Sequence, residues 1–147
     1  MFLGYHLWGF DLRSDDTPHE SGLGFVCRKN GDFKGKQAVD RQRLEGVNKK
    51  LVYLTVDEHV PLFGLEGVYR NGEPVGHLRR AEFAFCLDKL VGKSYIRRND
   101  GKPVDANYLK SGYYEIDVMG KKYEATCHAK SPFDPDNQRL HGNYFSK

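Results

Sequence analysis

Two adjacent arginines, Arg79 and Arg80, are the side chains of this sequence best suited to hold an anion. A guanidinium grips a carboxylate or phosphate through two parallel N–H bonds, which a lysine cannot do. The pair follows Asn71-Gly72, the strongest short-range signal for a β-hairpin, because both central residues of a type I′ turn need positive φ. On the returning strand, neighbours face opposite sides. One arginine is therefore placed to meet a ligand or partner while the other meets solvent. The plain alternative is an edge strand whose arginines pair with Glu82 or Asp88.

Two further groups carry metal-ligand residue types: Asp57-Glu58-His59 and Cys127-His128. Neither has a second half at useful spacing, so they read as a loop and a strand end, and no metal site is expected. There is no Gly-x-Ser-x-Gly elbow. Gly22-Leu23-Gly24 lacks the preceding strand and following helix of a phosphate-binding loop. No catalytic residue is assigned, and no complete catalytic machine is expected in this chain.

The elements that must position these residues follow from composition and punctuation. At 147 residues, with 39% apolar and 29% charged residues, the chain can bury a core without staples. Sixteen glycines and eighteen Phe plus Tyr favour strands with many turns. A formal charge of +3, spread among interleaved acids, is too mild for a nucleic-acid binder. Cys27, Cys86 and Cys127 are odd in number and far apart, which argues for reduced thiols, mostly packed in strands. The first residues lack a basic leader region, and no apolar run reaches the ~20 residues of a membrane helix. Neither nucleic acid nor membrane is an expected partner.

Phe2, Leu3, Tyr5, Leu7, Trp8 and Phe10 make a dense apolar opening that wants a partner surface. Asp11 to Glu20 is polar and turn-like. Leu23 to Arg28 reads as a short strand. Gly35 to Glu45 reads as a helix with a thin apolar stripe of Ala38, Val39 and Leu44, of which one turn should pack, and Gly46 fits its stop. Arg41 and Glu45 are spaced to pair on it. Strands follow over Leu51–Val56, Gly67–Arg70, Glu73–Arg80, Leu90–Arg97, Tyr113–Met119 and Lys122–Ala129. The tail after Pro132 reads as polar and extended. The fold class is thus mainly β: a small antiparallel barrel or sandwich with one short helix, and a boundary near Val47–Lys49.

Four motifs together resemble the C-terminal end of the folate-dependent aminomethyltransferase family, which includes the glycine-cleavage T-protein and the C-terminal halves of dimethylglycine and sarcosine dehydrogenases. These are Gly9-Phe10-Asp11 with Thr17-Pro18-His19-Glu20, then Asp32-Phe33-Lys34-Gly35, the hairpin with Val75-Gly76, and Phe133-Asp134-Pro135. Arg79-Arg80-Ala81 departs from the T-protein pattern and is similar to the sarcosine-oxidising branch. The resemblance implies that residues 1–47 are the tail of an α+β folate-binding domain and that 48–147 are a C-terminal barrel. It also implies that the catalytic aspartate and most folate contacts lie upstream, together with an FAD domain. Tetrahydrofolate is then the implied cofactor of an incomplete site, with FAD belonging to the full-length enzyme only. Upstream folate and FAD domains are the implied partners, and the mitochondrial matrix the implied compartment. Arg79, Arg80 and Tyr144 are the candidate folate-side or interdomain contacts. The competing reading is a non-catalytic module, like the regulatory subunit of pyruvate dehydrogenase phosphatase in the same broad family. A third, an RNA-binding barrel, rests only on basic charge and aromatics.

Overall fold

The computed structural model describes residues 4–144; the expected contributions of Phe2 and Leu3 to an apolar opening lie outside the described residues. Six strands close into an antiparallel barrel in the order β1-β4-β3-β2-β5-β6. They are β1 (Lys49–Val56), β2 (Gly67–Arg70), β3 (Glu73–Ala84), β4 (Lys89–Arg97), β5 (Tyr114–Val118) and β6 (Lys121–His128). Closure comes where Tyr53, Leu54 and Thr55 of β1 pair with His128, Cys127 and Thr126 of β6. A closed barrel leaves no unpaired edge to template aggregation.

Alternation along the strands builds the core. Val52, Leu54 and Val56 from β1 meet Val68, Leu78, Ile96 and Ile116 inside the barrel, all at most 1% exposed. Burying each such side chain contributes about 1.5–3 kcal/mol. Tyr114, Val118 and Ala125 extend this core, and Leu109 and Val104 close one end. Leu109 sits on a short helix, α2 (Ala106–Lys110), that the sequence reading does not anticipate. Its start is set by the Asp105 carboxylate, which accepts from the Tyr108 N–H at 2.7 Å. Tyr108 is held between the guanidinium groups of Arg70 and Arg98, 3.9 and 4.5 Å from its ring centre.

The hairpin turn has the expected conformation, with φ of 51° at Asn71 and 84° at Gly72. A second such turn, Met119-Gly120, joins β5 to β6 with φ of 54° and 85°. The N-terminal helix, α1 (Lys36–Glu45), starts after Gly35 at φ 89° and stops at Gly46.

Several local expectations are corrected. Leu23 to Arg28 is not a strand: Gly24–Val26 forms a 3₁₀ turn, because Leu23 and Val26 bond back to Pro18 and Leu23 instead of to a neighbouring strand. No residue of α1 is buried, and Leu44 is 87% exposed, so the stripe expected to pack does not. On its polar side Asp40, rather than an Arg41–Glu45 pair, takes Lys36 and Arg43. Of the three free thiols only Cys127 lies in a strand; Cys27 is in a loop and Cys86 in an exposed turn. The tail is not extended. It coils into turns because the Asp134 carboxylate accepts from the backbone N–H groups of Gln138, Arg139 and Leu140.

Candidate functional site

Residues before α1 form a strap across the outside of β1, β4 and β3, and β1 and β4 are buried on both faces along most of their length. On that outer face strict alternation breaks down at the arginines. Leu78 opposes Ser94 and Arg80 opposes Lys93, so Arg79 is the extra residue of a β-bulge. The bulge lets Leu78 enter the core while Arg79 and Arg80 both turn to the strap. The expectation that one arginine faces solvent is therefore corrected: their side chains are 7% and 20% exposed.

Both arginines are committed to acids of the strap. Asp11, fully buried, takes Lys93 Nζ at 2.9 Å and Arg80 Nη2 at 3.0 Å on one carboxylate oxygen, which also accepts from the Leu7 N–H. Lys93 is fully buried as well. Burial lowers the pKa of its ammonium, and the Asp11 carboxylate opposes that shift. The second network centres on Asp16, which takes Lys49 Nζ at 2.9 Å and Arg79 Nη2 at 3.3 Å. Lys49 and Arg79 both lie against the Tyr95 ring, and the Tyr95 hydroxyl donates to the Asp11 carbonyl. Glu82 adds a weaker contact to Arg80 at 3.5 Å, so only a minor part of the Glu82/Asp88 alternative is realised.

The motifs of the strap acquire physical roles here. Thr17-Pro18-His19-Glu20 is a reciprocal capping box: the Thr17 N–H donates to the Glu20 carboxylate, and the Glu20 N–H donates to the Thr17 hydroxyl. Glu20 then docks the turn, its carbonyl accepting from Leu51 N–H and its carboxylate lying 3.4 Å from Lys49 Nζ.

Where the strap meets the tail, a cleft of about 740 Å³ opens. One side is hung from the barrel by two bonds: the Tyr53 hydroxyl donates to the Gly4 carbonyl and Lys93 Nζ to the Tyr5 carbonyl, both at 2.7 Å. Burial, with the Asp11 charge adding to it, pushes the Tyr53 hydroxyl up to about 12, so it stays a donor. Tyr53, Leu51, Phe25 and Leu140 supply apolar surface; Lys50, His6 and Asp136 supply polar groups. That mixture and volume suit a ring-bearing small molecule. Tyr144, 63% exposed, stands beyond the last turn of the tail, after Leu140 of the cleft wall. Arg79 and Arg80 do not line the cleft.

One nitrogen of His6 is already committed. An ammonium only donates, so Lys93 Nζ at 3.3 Å makes His6 Nδ1 the acceptor and leaves the proton on Nε2. Burial and then the Lys93 charge hold His6 below its usual 6.5. His128, bonded to the Thr55 hydroxyl at 2.9 Å, is likewise lowered, chiefly by burial. Both rings are neutral in the folded chain where the unfolded chain would already bind protons. Stability is therefore lost as pH falls through 6.5 and below. The urea midpoint is expected to drop between pH 7 and 5, and to drop less in the His6→Gln/His128→Gln double variant. Equal slopes for the two proteins would contradict this. The other histidine run, Asp57-Glu58-His59, is an exposed loop in which His59 lies 3.8 Å from Asp88.

Residues 49–134 match the family model described as the glycine cleavage T-protein C-terminal barrel domain. The chain belongs to that family. Among relatives, it is 48% identical to mitochondrial sarcosine dehydrogenase of Mus musculus over 143 residues, 96% of this chain but 16% of that protein. The human sarcosine dehydrogenase is 46% identical over the same shares. The mitochondrial pyruvate dehydrogenase phosphatase regulatory subunit of Mus musculus is 29% identical over 82% of this chain and 15% of its own length. In fold, the barrel is similar to the glycine cleavage aminomethyltransferase T of Bartonella henselae. The TM-score is 0.73 at 22% identity, over 90% of this chain and 36% of that one. The matched residues contain the hairpin and reach Asp134 of the tail, whereas the strap lies before them. Sequence reasoning missed Asp11, Asp16 and Lys93 as a linked group. A lone acid following the aromatic run Leu7-Trp8-Gly9-Phe10 was the one available signal.

Proposed function

We propose that this chain is the C-terminal part of a sarcosine dehydrogenase-like flavoenzyme of the mitochondrial matrix. In this reading it supplies one wall of the tetrahydrofolate site that accepts the one-carbon unit released by oxidative demethylation of sarcosine. Identity of 46–48% across 96% of the chain carries the reading. The cleft supports the folate part. Tyr53, Leu51, Phe25 and Leu140 suit a flat ring system, and Lys50, with no ion-pair partner among the described residues, suits a carboxylate. Residues 1–47 then complete a folate domain that lies upstream. Arg79 and Arg80 act as interdomain contacts, through Asp16 and Asp11, and Tyr144 remains a candidate contact on the folate side. The exposed Tyr5, Trp8 and Phe10, at 65%, 71% and 55%, together with the bare α1, mark the face that upstream domains would cover. An FAD site finds no fit within this chain, which lacks a dinucleotide fingerprint.

A second reading, a non-catalytic regulatory module, is favoured by the 29% identity to the phosphatase regulatory subunit. Steady-state kinetics of the full-length protein separates the two. Sarcosine turnover is expected, and Lys50→Glu should raise the KM for tetrahydrofolate about tenfold, the worth of one charge-assisted contact. The KM for sarcosine should stay unchanged. An unaltered folate KM would move folate out of this cleft. Absence of sarcosine turnover would favour the regulatory module.

A further inference from the structure

Many cations on the outer wall of the barrel are neutralised, but Arg13 and Arg97 are not paired among the described residues, and the His77 ring beside them has no partner either. Lys49 and Arg79 share Asp16, Lys93 and Arg80 share Asp11, and Arg98 is taken by Asp100 at 2.8 Å. Arg13 on the strap, His77 on β3 and Arg97 on β4 have no side-chain hydrogen-bond or ion-pair partner among the described residues, and all three are exposed. The register gathers them. Arg97 opposes Lys49, and β3 beside His77 runs so close to β4 that a Cβ at Gly76 would lie 2.3 Å from the Tyr95 carbonyl oxygen. Arg13 joins them because its backbone N–H bonds Asp16, the acid that holds Lys49 and Arg79. Next to Arg97 lies a polar concavity of about 230 Å³ lined by Asn48, Arg97, Arg98, Asn99 and Gly101.

We propose that this concavity is an oxyanion-binding site, in which the Arg97 guanidinium that lines it takes a phosphate or carboxylate group. Arg98 forms a rigid wall, since Asp100, the Pro103 carbonyl and the Tyr108 ring hold it in place. Asn48 and Asn99 add neutral donors for the remaining oxygens. Burial first, and then the charges of Arg79, Arg13 and Arg97, lower the pKa of His77. Asp15 is the one nearby strap acid not engaged by its side chain; Asp16 and Asp100 are already paired. None of the five lining residues borders the strap–tail cleft, so the site stands or falls apart from the folate reading.

The test is a ¹⁵N-HSQC titration of the 147-residue chain with inorganic phosphate and, in a second arm, with glutarate. Sodium chloride at matched ionic strength controls for screening. Saturable shifts confined to the amides of Asn48 and Arg97 to Gly101 are expected in at least one arm, and the tighter arm identifies the preferred oxyanion. In Arg97→Gln, at a solvent-exposed position, the affinity should fall about tenfold or more. Arg28→Gln, outside the lining of the concavity, should leave it intact. Shifts that rise linearly, that chloride reproduces, or that persist unchanged in Arg97→Gln would overturn the proposal.

Discussion

Replacing Asp11 by alanine is expected to destabilise the folded chain by about 3–5 kcal/mol, since it strands a buried ammonium without a counter-charge. Asp11 and Lys93 are each 0% exposed, and the same carboxylate oxygen also serves Arg80 and the Leu7 N–H. Removing it leaves two cations and a backbone donor unmatched at once. The effect should be non-additive. Lys93→Met in the Asp11→Leu background should recover part of the loss, because an apolar pair of similar volume carries no desolvation penalty. Arg80, at the rim with 20% exposure, can still reach water. Denaturant midpoints of the two single variants and the double variant measure this. A loss below about 1 kcal/mol for Asp11→Ala would mean that the strap is not held by this pair.

The second large effect is expected at Gly76. A Cβ there would lie 2.3 Å from the Tyr95 carbonyl oxygen and 3.1 Å from Ser94 Oγ. The first obstacle is backbone in the middle of β4, which cannot rotate aside. Gly76→Ala should therefore cost about 3 kcal/mol, the upper end of overpacking penalties. The damage should spread to the neighbouring register, where the Ser94 hydroxyl donates to the His77 carbonyl. Amide exchange in β3 and β4 should accelerate ahead of that in β5 and β6. Gly72→Ala is a useful contrast. Nothing lies within 4 Å of its Cβ, so its penalty comes from positive φ alone. A Gly76→Ala protein melting within about 0.5 kcal/mol of wild type would remove close strand approach as the reason for this glycine.

These two positions also mark what could and could not be read along the chain. The hairpin was legible because Asn71-Gly72 encodes its own conformation, and the strands were legible because apolar alternation is local. The number and spacing of those strands allowed a barrel or a sandwich; closure rests on the β1–β6 pairing, 71 to 75 residues apart in sequence. The bulge at Arg79 was not legible, since it exists only in the pairing of β3 with β4. Nor were the acid partners of the arginines, which lie 63 and 69 residues away in sequence. Leu-Gly-Phe-Val read as a strand by composition, yet its backbone groups found partners within the preceding turn. The short α2 escaped notice because five residues hold too little periodicity, and its signal was one capping aspartate. The cleft depends on how strap and tail meet, and no local pattern encodes that.

The strap has a consequence for where this family's barrel ends as a physical object. A change of composition near residue 48 invites a cut there, and residues 49–134 alone satisfy the family description. Such a cut would remove Asp11, Asp16 and Glu20 together. It would leave Lys49, Lys93, Arg79 and Arg80 crowded on one naked wall around Tyr53 and Tyr95, whose rings the strap had kept dry. The unit that is electrically whole is larger than the unit that is topologically closed.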